Sequence, residues 1–165
     1  MIYIPEVPNN SLKNELEEIV FLANAAVNSD VYEEELLTFK FNKPVTESEL
    51  VSFEKEVNVE FDEEYKDFLR FSNGAVLCFS SAEFYSIKEI KSLYSKEKSD
   101  DFPEDYVIIA EVVGDGEILC FSKNTGKYYS CFEGEEEEYD SFSDCLKEIL
   151  EGIREKIDEC VGLDN

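Results

Sequence analysis

The sequence has no histidine and no tryptophan, and only one methionine and four prolines in 165 residues. Without histidine there is no imidazole acid or base, no Ser–His or Cys–His nucleophile and no imidazole metal ligand. Five cysteines occur, Cys78, Cys120, Cys131, Cys145 and Cys160. They are odd in number, widely spaced and free of any CxxC pair, so neither a disulfide framework nor a zinc site is signalled. They read as reduced, mostly buried apolar fillers. Cys120 and Cys131 fall on adjacent predicted strands, where a reducing compartment would keep them as packed thiols. Basic residues are scarce, 15 against 40 acidic, for a net charge of −25. That field repels nucleic acid phosphates and anionic membrane surfaces. No apolar run approaches the roughly 18 residues of a membrane span. The opening MIYIPEVPNN has neither a basic segment nor an apolar signal core. The expectation is a cytoplasmic protein with no catalytic residues, no metal and no cofactor, and with neither nucleic acid nor membrane as partner.

Apolar residues, by contrast, are plentiful. They make up 43% of the chain, with 13 Phe and 9 Tyr. A chain of this length hides roughly 70% of the surface its unfolded form exposes, so the charge does not imply disorder.

Leu12, Leu16, Ile19, Val20, Ala23, Ala26 and Val27 recur at helical spacing and predict a helix over about 11–28, with Ser11 as N-cap. Ser29 to Glu35 is acidic, lacks an apolar period and reads as a linker. Leu36 to Phe41 reads as a strand stopped by Pro44. Thr46-Glu47-Ser48-Glu49 is a capping box. Its helix turns Leu50, Phe53 and Val57 inward. A second helix has acids in its first turn, where the dipole favours them. Tyr65, Phe68 and Leu69 form its inner face. Asn73-Gly74 reads as its stop rather than as a pocket wall. Ala75 to Phe79 reads as a strand and Phe84-Tyr85 as a short second one. Ser86-Ile87-Lys88-Glu89 is another capping box, opening a helix with Ile90, Leu93 and Tyr94.

Beyond a charged loop from Ser95 to Asp105, three strands are predicted: Tyr106–Val113, Glu117–Phe121 and Lys127–Phe132. Gly114-Asp115-Gly116 and Asn124-Thr125-Gly126 separate them. The first turn lacks the Lys and the spacing of a phosphate loop. Turns this short join antiparallel neighbours, which makes a meander. Ser141 caps a last helix with Phe142, Cys145, Leu146, Ile149, Leu150, Ile153 and Ile157 inside. Gly152 weakens that helix by up to about 1 kcal/mol relative to Ala. Helices, then strands, then a helix predict an α+β fold with a largely antiparallel sheet.

The ordered set Thr46-Glu47-Ser48-Glu49-Leu50, Phe53-Glu54, Tyr65-Lys66-Asp67-Phe68-Leu69 and Asn73-Gly74 resembles the SUKH superfamily signature. Ile108-Ile109-Ala110 before Gly114-Asp115-Gly116 resembles its Ile-Ala strand and Gly-Asp turn. Phe121, Gly126 and Tyr128-Tyr129 resemble the next hairpin, and Ser141-Phe142 the closing Ser-Phe. The likeness covers about residues 36 to 152. Phe61-Asp62 stands where the superfamily usually has Leu-Pro. The resemblance implies a SUKH-like domain over 36–165, with the helix and linker of residues 1–35 packed on its core.

The superfamily includes fungal cell-wall-assembly regulators and bacterial immunity proteins. The resemblance therefore implies a non-enzymatic immunity protein that neutralises a basic, nuclease-type toxin by stoichiometric occlusion. The alternative it allows is a regulatory or scaffold module like the fungal branch. The 40 acids offer no spacing that selects a catalytic carboxylate pair.

The sharpest local feature is the acidic run from Glu133 to Asp140. Successive like charges read as a solvated loop. Glu135, Glu136, Glu137, Glu138 and Asp140 then form a candidate anionic surface for a basic partner, with Tyr139 as an aromatic anchor. A second acidic stretch, Asp100, Asp101, Glu104 and Asp105, is the next candidate.

Overall fold

Thr46 accepts a hydrogen bond from the Glu49 amide, and Glu49 accepts one from the Thr46 amide in return. Both halves of that capping box form in the computed structural model, which describes residues 2–29, 37–79, 81–96, 103–112 and 116–163. The expectations for residues 30–35, for Leu36, Asp100, Asp101 and Val113, and for the Gly114-Asp115 part of a turn lie outside those residues.

In chain order the elements are α1 (Lys13–Val27), β1 (Lys40–Phe41), α2 (Glu47–Val57), α3 (Glu63–Phe71), β2 (Ala75–Leu77), β3 (Ala82–Phe84), α4 (Ile87–Lys96), β4 (Tyr106–Glu111), β5 (Ile118–Ser122), β6 (Tyr128–Phe132), β7 (Glu135–Tyr139) and α5 (Phe142–Val161). The seven strands form one sheet in sequence order. Every neighbouring pair is antiparallel. The fold is α+β, as expected, with α2 and α3 placed between β1 and β2, and α4 between β3 and β4.

The first strand is shorter than the sequence suggested. Only Lys40 and Phe41 pair with β2, while Leu37 and Phe39 are buried without joining the ladder. The second capping box forms through Ser86 and Glu89.

The core is aromatic, and Phe142 at the start of α5 stands at its centre. Its ring lies 5.3 Å from Tyr65, 5.6 Å from Phe68, 6.0 Å from Phe84 and 5.4 Å from Tyr128. Such pairs add about 0.5–1.5 kcal/mol each beyond their area burial. Leu12, Leu16, Ile19, Leu22 and Ala23 of the N-terminal segment are fully buried in the same cluster. Glu18 on α1 pairs with Arg154 on α5 at 2.9 Å.

Two local expectations need correction. Ser11 does not cap α1. Its amide and hydroxyl both donate to Asp67 on α3, at 3.1 and 2.6 Å, while Asn10 accepts from the Leu12 amide. A charged acceptor outcompetes a local cap here, because bonds to ionised groups are the stronger ones.

Gly74 is not the helix stop either. The cap of α3 is Ser72, in an extended conformation. Gly74 sits at φ +81°, and a Cβ there would lie 2.7 Å from the Ser86 nitrogen and 2.8 Å from the Phe84 oxygen. Close backbone approach demands this glycine. Its neighbour Asn73 accepts from the Ile87 amide through its side chain and so helps start α4.

Candidate functional site

The acidic run is a strand, not a loop. Glu133 and Gly134 take φ +50° and +84°, and β6 and β7 pair on either side of them from Phe132↔Glu135. Two successive left-handed residues make the tight two-residue turn that suits strand twist. The Glu-Gly dipeptide was the available signal. The charge run masked it.

Strand alternation then divides the acids between two faces. Glu136 and Glu138 turn to the face that carries Tyr106 and Tyr129. The Tyr106 hydroxyl donates to Glu136 at 3.0 Å and the Tyr129 hydroxyl to Glu138 at 3.0 Å. The two tyrosine rings stack at 5.1 Å. Burial, with the Glu136 hydrogen bond behind it, holds the Tyr106 hydroxyl above its usual titration range. Lys127 bridges Glu138 at 3.5 Å and Asp140 at 3.3 Å. These partners take up the charge of Glu136, Glu138 and Asp140 on that face.

Glu137 and Tyr139 turn to the other face, toward α5. Opposite them on β6 are Ser130 and Tyr128. Tyr139 is half-buried against the core. Burial first, and then the Glu148 carboxylate on α5, raises the pKa of its hydroxyl. The aromatic residue expected to project as an anchor is therefore tucked between sheet and helix.

Behind Tyr139 a cleft of about 380 Å³ opens between α5 and the sheet. Leu119, Cys145, Ile149 and Ile153 supply its apolar part, and Glu117, Glu137 and Glu148 its acids. The Ser130 hydroxyl donates to Glu117. Lys156 lies at one end, donating to the Ser81 hydroxyl at 3.2 Å. Gly152 also lines the cleft, and a Cβ there would meet nothing within 4 Å. Ile149, expected inside the core, is half-buried at this wall.

β7 is the last strand of the sheet. A row of glutamates on a terminal strand discourages pairing with another strand, so these acids have a structural use as well as a candidate binding one. In the other acidic stretch, Asp105 is held by the Ser122 hydroxyl, and Glu104 is exposed.

Cys120 and Cys131 do meet, as hydrogen-bonded thiols on neighbouring strands. All five cysteines are free. Among the described residues no group of three or more Cys, Asp or Glu could hold a metal ion, and no helix is long and apolar enough to cross a membrane.

Sequence reasoning reached Glu135 to Asp140 but missed Glu117, Glu148, Lys156 and Ser81. These come from separate segments that only the fold brings together. Gly152, a helix-weakening residue at midpoint, was their one local trace.

No curated protein matches the chain in sequence. The model of the SMI1 / KNR4 family (SUKH-1) matches residues 44–152, from the proline before α2 to the middle of α5. That span contains both capping boxes, the whole meander and the aromatic centre, and it covers well over half of the sequence. The chain belongs to the SMI1 / KNR4 family (SUKH-1).

Proposed function

We propose that this protein is an immunity protein, which binds a basic, nuclease-type bacterial toxin and neutralises it without chemistry of its own. One observation carries the reading: a SUKH-1 protein whose 165-residue chain has a net charge of −25 sets four successive glutamates on the last strand of its sheet. A nuclease holds phosphates with basic side chains, so its cleft is complementary to such a surface. The field of the acidic domain would speed encounter and orient the partner. Glu135, Glu136, Glu137, Glu138 and Asp140, with Tyr139 at their end, would then occupy the cleft in place of substrate. A stable complex of this kind buries roughly 800 Å² on each partner.

The test is co-purification with the product of the adjacent reading frame, followed by a nuclease assay. The expected result is a complex whose inhibition is complete at one equivalent. A neighbouring toxin that neither binds nor loses activity overturns the reading. Specific capture of an intracellular signalling protein by the purified domain would favour the regulatory scaffold instead.

A further inference from the structure

The cleft beside Tyr139 has three features that the acidic strand alone does not explain. Its floor is apolar, from Leu119, Ile149 and Ile153. Its rim carries Glu117, Glu137 and Glu148 against the single cation Lys156, which donates to Ser81. Its mouth is kept open by Gly152, at a helical position where a Cβ would stabilise α5 and would meet nothing within 4 Å.

At about 380 Å³ it falls within the roughly 300–1,000 Å³ typical of small-ligand sites. A ligand that matches it has an aliphatic stem ending in a planar cation. Arginine has that form, and its fork of donors suits carboxylates better than the point charge of lysine does.

We propose that this cleft receives an arginine side chain of the protein partner, with the stem lying on Ile149 and Ile153 and the guanidinium between Glu137 and Glu148. The proposal rests on the partner reading above for the source of the arginine, but the pocket can be tested without that partner. The three carboxylates already act on the Cys145 thiol in the wall, and burial with their charge raises its pKa. The charge of those carboxylates therefore reaches the wall of the cleft as well as its rim.

The probe is N-acetyl-arginine amide, titrated into the full chain while backbone amide shifts are followed by NMR. N-acetyl-citrulline amide, the neutral isostere, is the control. Saturable millimolar shifts are expected at Gly152, Tyr139 and Leu119 with arginine, and none with citrulline. Gly152→Leu should fill the mouth and abolish the response without lowering the melting temperature. Glu137→Gln with Glu148→Gln should weaken binding roughly tenfold.

Equal responses to both probes would overturn the proposal. So would linear shifts spread over all exposed acids, or an unchanged response in folded Gly152→Leu. Failure here leaves the partner reading to the co-purification test. A saturable site in a protein that binds no toxin would remove the toxin and keep the cleft.

Discussion

Tyr139 on β7 lies half-buried against the core, and Glu148 on α5 is near enough to add to burial in raising its hydroxyl pKa, so the acidic strand packs against the last helix and is not held clear of it. Tyr139→Phe keeps the ring packing and removes only the hydroxyl. The ring is what packs against the core, so urea unfolding should change by less than about 0.5 kcal/mol. A clear loss in midpoint would mean that the hydroxyl, and not the ring, ties the strand to α5.

Tyr65 offers the opposite case. It is buried, and its hydroxyl has no hydrogen-bond partner among the described residues. An unsatisfied buried group costs about 1–3 kcal/mol. Tyr65→Phe should therefore raise the unfolding midpoint, by up to about 1 kcal/mol in stability. A clear destabilisation would show that the hydroxyl is satisfied in solution.

Gly74 and Gly126 both have positive φ, but only Gly74 faces backbone at contact distance. Gly126→Ala should cost about 1 kcal/mol, the ordinary penalty for a side chain in this region. Gly74→Ala should cost at least about 3 kcal/mol, because Phe84 and Ser86 would have to move. Equal losses in chemical denaturation would refute the close-approach account.

Much of this architecture is legible in short stretches of sequence. Thr46, Ser86 and Ser141 announce three helices because a cap hydroxyl and the amide that donates to it lie three residues apart. The β4–β6 meander is legible because its turns are local too. What escaped depends on partners that the local pattern does not show. The strand at Glu135 to Tyr139 follows the short Glu133-Gly134 turn, which the charge run hid, and its Glu136 and Glu138 are taken up by Tyr106, 30 residues from Glu136, and by Tyr129 and Lys127 across the hairpin. Ser11 looked like a cap because Asp67, which claims it, lies 56 residues away. The cleft is assembled from several segments, so Gly152 alone could hint at it.

Arg70 joins Glu47 at 2.6 Å, Glu63 at 2.9 Å and Asp67 at 2.7 Å. Its hydrogen bonds hold the Glu47 and Glu63 carboxyls below their ordinary value of 4.5. A carboxylate whose folded pKa is depressed adds stability above its unfolded pKa and loses it as pH falls through the folded one. Arg70→Gln should therefore lower the melting temperature at pH 7, and the gap to the native chain should narrow below about pH 4.5. A gap of constant size from pH 7 to pH 3 would place the role of Arg70 in packing instead.

The last prediction separates the two faces of β7. Glu136 and Glu138 lie with the stacked tyrosines, while Glu137 lies on the cleft side. Exposed charges act over about 10 Å at 0.1 M salt and about 3 Å at 1 M. If a basic partner approaches this strand, Glu136→Gln with Glu138→Gln should slow association at low salt, and the effect should vanish at high salt. Dissociation should change little, because such charges steer more than they hold. Glu137→Gln should instead speed dissociation at every salt concentration, since a seated cation would lose one of its acceptors. The double variant also removes charge from the terminal strand, so self-association should rise and sedimentation should detect it. Equal losses in both variants would mean that the partner does not distinguish the faces. If both variants bind at native rates at every salt concentration, β7 serves only as a charged guard on the sheet.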